Sequence, residues 1–143
     1  LGALTELQRE GKIRHIGLDG VSAEQLRAAM ELAEIASVQQ RFHLLDREAA
    51  PLLELCEERR VAFLPSRPLN DGALTASGRT EVDEIAAAHG ATPAQIALAW
   101  LLHRSRVLLP TPGTTSPAHV DENLAAGDIE LSPEELALLD GLG

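Results

Sequence analysis

The sequence predicts an α/β fold built on a parallel sheet, and three observations carry that expectation. Short apolar strand candidates alternate with segments of helical periodicity. Three strand candidates begin about 24 residues apart, near positions 13, 37 and 61, which is the minimal βα repeat of a barrel or a doubly wound sheet. No two candidates are joined by a two-residue hairpin turn, which leaves right-handed crossovers between parallel strands.

The elements follow in order. Leu1, Leu4 and Leu7 stand at helical spacing, with Gly11 as the stop. Ile13 to Leu18 reads as a first strand. Ser22 and Gln25 form a capping box that opens a helix with Leu26, Ala29, Met30 and Ala33 on its apolar face. Ser37 to Gln39 is a very short second strand. Asp46 is the expected cap of a helix burying Ala49, Leu52, Leu53 and Cys56. Val61 to Leu64 is a continuous apolar run, as in a strand covered on both faces, and Pro65 is expected to end it. Asp71-Gly72 and Ser77-Gly78 mark a loop. Thr80 caps a helix that buries Val82, Ile85 and Ala86 and stops at Gly90. Thr92, Pro93 and Gln95 begin another, with Ile96, Ala97, Trp100 and Leu101 as its stripe. Arg106 to Pro110 is the fourth strand candidate, and Ser116-Pro117 and Ser132-Pro133 open two last helices. The local pattern is that of a (βα)8 barrel, while four strands make half of one.

Composition narrows the function classes. A hydrophobic share of 45% and a charged share of 24% are globular. Twelve basic residues against 22 acidic ones give a net charge of -10, which disfavours nucleic acid and anionic membrane surfaces as partners. No apolar run approaches the ~20 residues that span a bilayer, and no secretory signal is recognisable. Cys56 is the sole cysteine, so an intrachain disulfide is excluded and a cytoplasmic setting is expected. The chain has no Tyr, and Phe42, Phe63 and Trp100 are its aromatics. It begins at Leu1 and its one methionine is Met30, so it reads as a fragment or as a chain with residues upstream.

Four motifs carry a family resemblance. Glu10-Gly11-Lys12-Ile13-Arg14-His15-Ile16-Gly17-Leu18 resembles the EGKIRxIGxS signature of the aldo-keto reductases. Ser37-Val38-Gln39 followed by Leu44-Leu45-Asp46-Arg47 is similar to the family's VQxxYxLLxR. The run from Ala91 to Leu102 resembles TPAQIALAWLL, and Leu109 to Ser116 with His119 and Glu122-Asn123 resembles xPIPGTSSxxHLxEN. The motifs occur in the family's order and span nearly the whole chain, residues 1–143 forming a partial barrel domain.

The resemblance implies strands five to eight of the (βα)8 barrel with their helices and a C-terminal helix. The Asp, Tyr, Lys and His of the family's catalytic tetrad belong to the half that precedes them. The family passes hydride from NADP(H) to aldehydes or ketones, with the Tyr as proton donor, so this chain is expected to be inactive alone and to meet a carbonyl substrate only when the other half is supplied. The resemblance implies that Gln39 binds the nicotinamide carboxamide at a strand end shared with Ser66. It places Pro68, Leu69 and Gly72 on a loop over the pyrophosphate. Gly113, Thr114 and Thr115 lead into a helix whose free N–H groups favour an anion. His119 would face the 2′-phosphate, and Glu122 and Asn123, on the same helical face, the adenine. NAD stays open beside NADP, because Gly113 stands where some relatives carry a basic residue.

The departures cluster at the nicotinamide end. Asp19-Gly20 replaces Ser-Asn, Ser66 replaces a stacking aromatic, and Phe42 or His43 replaces the Tyr after the second strand. Other polar residues have plain structural readings. Ser22, Ser116 and Ser132 are caps, Cys56 lies on an apolar stripe, Trp100 is core, and His15 and His43 lack metal-ligand spacing. His119, Glu122 and Asn123 equally suit a polar helix face. Two alternatives to the enzyme half remain: a non-catalytic half-barrel that associates with itself or another chain through open edges and an open apolar interior, and a degenerate nucleotide-binding module.

Overall fold

A computed structural model describes residues 1–75 and 78–143. In chain order the elements are α1 (Gly2–Arg9), β1 (Ile16–Asp19), α2 (Ala23–Met30), β2 (Ile35–Arg41), α3 (Ala50–Arg59), β3 (Ala62–Ser66), α4 (Thr80–His89), α5 (Pro93–Arg104), α6 (Pro117–Ala125) and α7 (Pro133–Asp140). Short 3₁₀ turns lie at Asn70–Gly72 and Ala126–Asp128. The three strands form a parallel sheet in the order β1-β2-β3, so each βα unit adds its strand beside the last.

Local chemistry sets most helix starts. In the capping box of α2, Gln25 N–H donates to Ser22 Oγ at 3.2 Å and Ser22 N–H donates to Gln25 Oε1 at 2.8 Å. Thr92 with Gln95 and Ser132 with Glu135 make the same reciprocal pair at α5 and α7. Three expected caps are corrected. Asp46 does not cap α3, whose N-cap is Ala49; its carboxylate instead pairs with Arg41 Nε at 2.8 Å. Thr80 is the first residue of α4, while Asp83 Oδ2 accepts the Gly78 N–H at 2.7 Å just ahead of that helix. Ser116 sits at the N-cap of α6 without a side-chain bond, and its own N–H donates to Thr114 Oγ1 at 3.1 Å. Gly90 ends α4 with φ at 60°, the left-handed stop that glycine adopts without penalty. Of the loop signals, Ser77 lies outside the described residues.

The strands shift from their expected bounds. The first begins three residues late, at Ile16, and the second is longer at both ends. The third runs through Pro65, and the fourth shrinks to a single parallel bridge between Phe63 and Leu108. Proline accounts for that last loss. Phe63 N–H donates to Val107 O at 2.7 Å and Leu109 N–H to Phe63 O at 2.8 Å. The next rung in a parallel ladder needs an N–H at position 65, which Pro65 lacks.

Side-chain alternation gives the sheet two unlike faces. Ile16, Val38, Phe63 and Leu108 are buried beneath the helices. There Phe42 meets the Phe63 ring edge-on and lies nearly parallel to Trp100, both at 5.9 Å between centroids. Arg47 lies 4.8 Å over Trp100 and donates to the carbonyls of Leu44, Leu139 and Asp140, while Trp100 Nε1 donates to Asp140 Oδ1 at 2.9 Å. These bonds fasten α7 to the core. The opposite face carries Gly17, Asp19, Ser37, Gln39, Ala62, Leu64 and Ser66, none of them buried. This corrects the expectation of an open apolar interior, because small and polar residues predominate. Gly17 packs closely there: a Cβ on it would stand 2.6 Å from Ser37 Oγ, so the serine hydroxyl would have to turn away.

No single helix among the described residues is long and apolar enough to cross a membrane. Helices α4 and α5 meet that test only as a pair bent by 90°, and the apolar residues Ile96 to Leu101 of α5 are buried in the core.

Candidate functional site

A cavity of about 670 Å³ opens beyond the C-terminal end of β3, and three segments wall it. The loop after β3 contributes Arg67, Pro68, Leu69, Asp71, Gly72 and Thr75. The start of α5 contributes Thr92, Pro93 and Ala94. The turn Pro112-Gly113-Thr114 and the face of α6 bearing His119, Glu122 and Asn123 complete it. Helical spacing aligns those last three side chains, and Gln95 Nε2 ties the two helices together by donating to Glu122 O at 3.0 Å.

The cavity suits an anion with an apolar appendage. The start of α5 lies at its wall and α6 enters it within its first turn, at His119, so the positive ends of two helix dipoles lie at or near it. Ser116 leaves the start of α6 without a side-chain cap. Thr114 Oγ1 lies 3.4 Å from His119 Nδ1 and also accepts the Ser116 N–H, which fixes the turn against the helix. Arg67 Nη1 pairs with Asp71 Oδ2 at 2.7 Å on the facing wall.

The structure thus gathers Pro68, Leu69, Gly72, Gly113, Thr114, His119, Glu122 and Asn123 around one space. Thr115 lies outside it, in a shallow depression with Pro117, Val120 and Asp121. Gln39 and Ser66 are also outside the cavity; they lie toward the C-terminal ends of β2 and β3 on the open face, with Gln39 opposite Asp19. The sequence reading missed Arg67, Asp71, Thr75 and the start of α5 as wall residues. The Thr92-Pro93 cap was visible as a helix start, but its approach to the loop after β3 is a tertiary fact.

A polar relay lies behind the loop. Arg41 at the end of β2 pairs with Asp46, donates from Nη2 to Asn70 Oδ1 at 3.2 Å, and approaches His43 Nε2 at 3.4 Å. His43 is buried, and burial lowers its pKa against the opposing pull of Asp46. Leu45 N–H donates to its Nδ1 at 3.3 Å, which fixes the neutral tautomer. Burial pushes the Cys56 thiol up to about 11, so it is no nucleophile at neutral pH. No group of three or more metal-binding side chains occurs among the described residues.

Comparison with known proteins agrees with this architecture. An uncharacterized oxidoreductase of Schizosaccharomyces pombe is 40% identical over 140 residues, 98% of this chain and 45% of its own length. Pyridoxine 4-dehydrogenase of Escherichia coli is 40% identical over 142 residues, 99% of this chain and 49% of its own. Among solved structures, an aldo-keto reductase of Klebsiella pneumoniae in complex with NADPH superposes with a TM-score of 0.87 at 35% identity, over 99% of this chain and 52% of that one. The chain therefore spans about half the length of these relatives. The model of the Aldo/keto reductase family matches residues 1–143, and the chain belongs to that family.

Proposed function

We propose that this chain is one half of an NADP(H)-dependent oxidoreductase that passes hydride between the nicotinamide and an aldehyde or ketone, and that it carries the phosphate and adenosine end of the cofactor site. The observation that carries the reading is the cavity, which brings Pro68, Leu69, Gly72, Gly113, Thr114, His119, Glu122 and Asn123 together beside the start of α5. The NADPH held by the Klebsiella relative supports the choice of cofactor. The residues fit that group unevenly. Helix starts and the His119 face suit phosphate and adenine, whereas Asp19, Gly20 and Ser66 offer neither an amide donor nor a ring where a nicotinamide would lie. Gln39 is the one amide on that face, opposite Leu64, and Ser66 is a small hydroxyl further along β3, opposite Arg41.

In this reading β1, β2, β3 and the Leu108 segment are strands five to eight of an eight-stranded barrel, and residues 1–143 are a partial domain. The cofactor supplies the hydride. The chain's own residues bind and orient it, and the proton donor comes from the other half, because this chain has no Tyr. The isolated chain is therefore inactive, and it works in the cytoplasm. NAD is the competing cofactor, distinguished by whether His119 matters.

Calorimetry with NADPH and NADH tests the reading. NADPH binds the isolated chain, and His119→Ala weakens NADPH about tenfold, as the loss of one hydrogen bond to a charged phosphate does, with NADH unchanged. Absence of NADPH binding at millimolar cofactor overturns it. Equal loss for both cofactors moves His119 off the 2′-phosphate and favours NAD.

A second reading has its own observation. Leu102, Val120 and Leu124 are exposed together around the groove between α5 and α6, and among the described residues the Leu108 segment has no ladder beyond its bridge. A non-catalytic half-barrel would cover that surface by association, with itself or with another chain.

A further inference from the structure

We propose that Arg67 is a phosphate-binding residue of the cavity, held by Asp71 until a phosphate-bearing ligand displaces that carboxylate. The inference rests on the cavity being a nucleotide site and adds to it Arg67, the residue just before the Pro68-Leu69 wall.

The first support is charge. The ionisable side chains that line the cavity are Arg67, Asp71, His119 and Glu122. Arg67 is the permanent cation of that set, facing two carboxylates in a chain of net charge -10. A polyanion entering here needs it.

The second support is backbone geometry. Arg67, Asn70 and Asp71 have φ of 54°, 48° and 53°, in the left-handed region that side-chain-bearing residues avoid. Three such residues within one short loop, two of them, Arg67 and Asp71, at the wall of the cavity, are strain stored where the surroundings over-determine the conformation. Those surroundings are present. Asn70 N–H donates to Arg67 O at 2.8 Å, Leu74 N–H to Leu69 O at 3.2 Å, Leu74 is buried, and Arg41 holds Asn70 Oδ1. A glycine would adopt the Arg67 conformation freely, so arginine there is a feature the local backbone does not favour.

The third support is the form of the ion pair. Arg67 meets Asp71 through one contact, Nη1 to Oδ2 at 2.7 Å, and more than half of each side chain is exposed. Such a pair is weak. A phosphate brings more charge and oxygens spaced for two parallel bonds from the guanidinium fork, so it outcompetes a single carboxylate oxygen. Asp71 keeps the guanidinium oriented along the wall in the ligand-free chain, and its removal leaves the cation free.

Calorimetry on the 143-residue chain with NADPH, ADP and inorganic pyrophosphate tests this, alongside thermal melting. Arg67→Ala weakens all three ligands, NADPH by about tenfold. Asp71→Asn strengthens them, since asparagine tolerates the left-handed backbone and carries no charge. Arg67→Gly weakens NADPH as much as Arg67→Ala and raises the melting temperature, which separates lost binding from lost folding. Unchanged affinity in Arg67→Ala, or weaker binding in Asp71→Asn, overturns the inference while His119→Ala still reports the nucleotide site. Failure of the unaltered chain to bind NADPH, ADP or pyrophosphate overturns the nucleotide reading, and this inference with it.

Discussion

His43 is a buried titratable side chain whose surroundings decide its charge. Its Nδ1 accepts the Leu45 N–H, its Nε2 lies 3.4 Å from Arg41, and the backbone of residues 43 and 46 closes a tight turn around it. A second proton would cost the Nδ1 bond and set two cations side by side. The folded-state pKa is therefore lowered, by burial first, so the unfolded chain binds the extra proton more readily. Stability is whole above the ordinary histidine value of about 6.5 and falls as pH drops below it. The urea midpoint should fall between about pH 7.5 and pH 5.5, and His43→Gln should flatten that dependence. A variant as pH-sensitive as the parent would remove His43 from the account. Glu135 works on the same side of the scale. The Ser132 N–H and His89 lower its pKa, so its contribution is kept above the ordinary glutamate range and lost as pH falls through its depressed value.

At the scale of elements, the capping boxes and one proline matter most. Helix α5 buries Ala94 and the run from Ile96 to Leu101, so its start aligns much of the core. Thr92→Ala removes the acceptor for Gln95 N–H and should destabilise the chain by about 1 kcal/mol, read as a drop in melting temperature. The same box holds the α5 wall of the cavity, so ligand affinity should fall with it. Pro65 acts in the opposite sense. Pro65→Val supplies the missing N–H toward the 106–110 segment, and amide exchange at residue 65 should then be protected by a new rung to Leu109. Unprotected exchange there would mean that the segment is held off by its own turn rather than by proline. The box pairs were legible in sequence because they are local, three residues apart. The failed caps at Asp46 and Thr80 were not, since Asp46 finds a stronger partner in Arg41.

For the whole molecule, the governing fact is that the chain spans about half the length of its relatives. The relatives are about twice as long, and the face of small and polar residues lies open. Mixing this chain with a four-strand βα half from a relative should generate NADPH-dependent carbonyl reduction that neither part shows alone. Leu124 is 72% exposed on α6, at the groove between α5 and α6. Leu124→Glu should leave the melting of the isolated chain unchanged and abolish the activity of the mixture. Activity in the unmixed chain would overturn the half-enzyme reading at once.

The sequence by itself determined the alternation of elements, the family motifs, two capping boxes and the absence of a Tyr, because each of these resides in neighbouring residues or in composition. Tertiary structure decided the rest. It reduced the fourth strand to one bridge through a proline on the adjacent strand. It separated Gln39 and Ser66 from the cavity that holds the His119 face. It brought Arg67 and the start of α5 to the same cavity. These outcomes depend on which segments meet across the fold, and a side chain's partner there lies tens of residues away in the chain, beyond the reach of any local pattern.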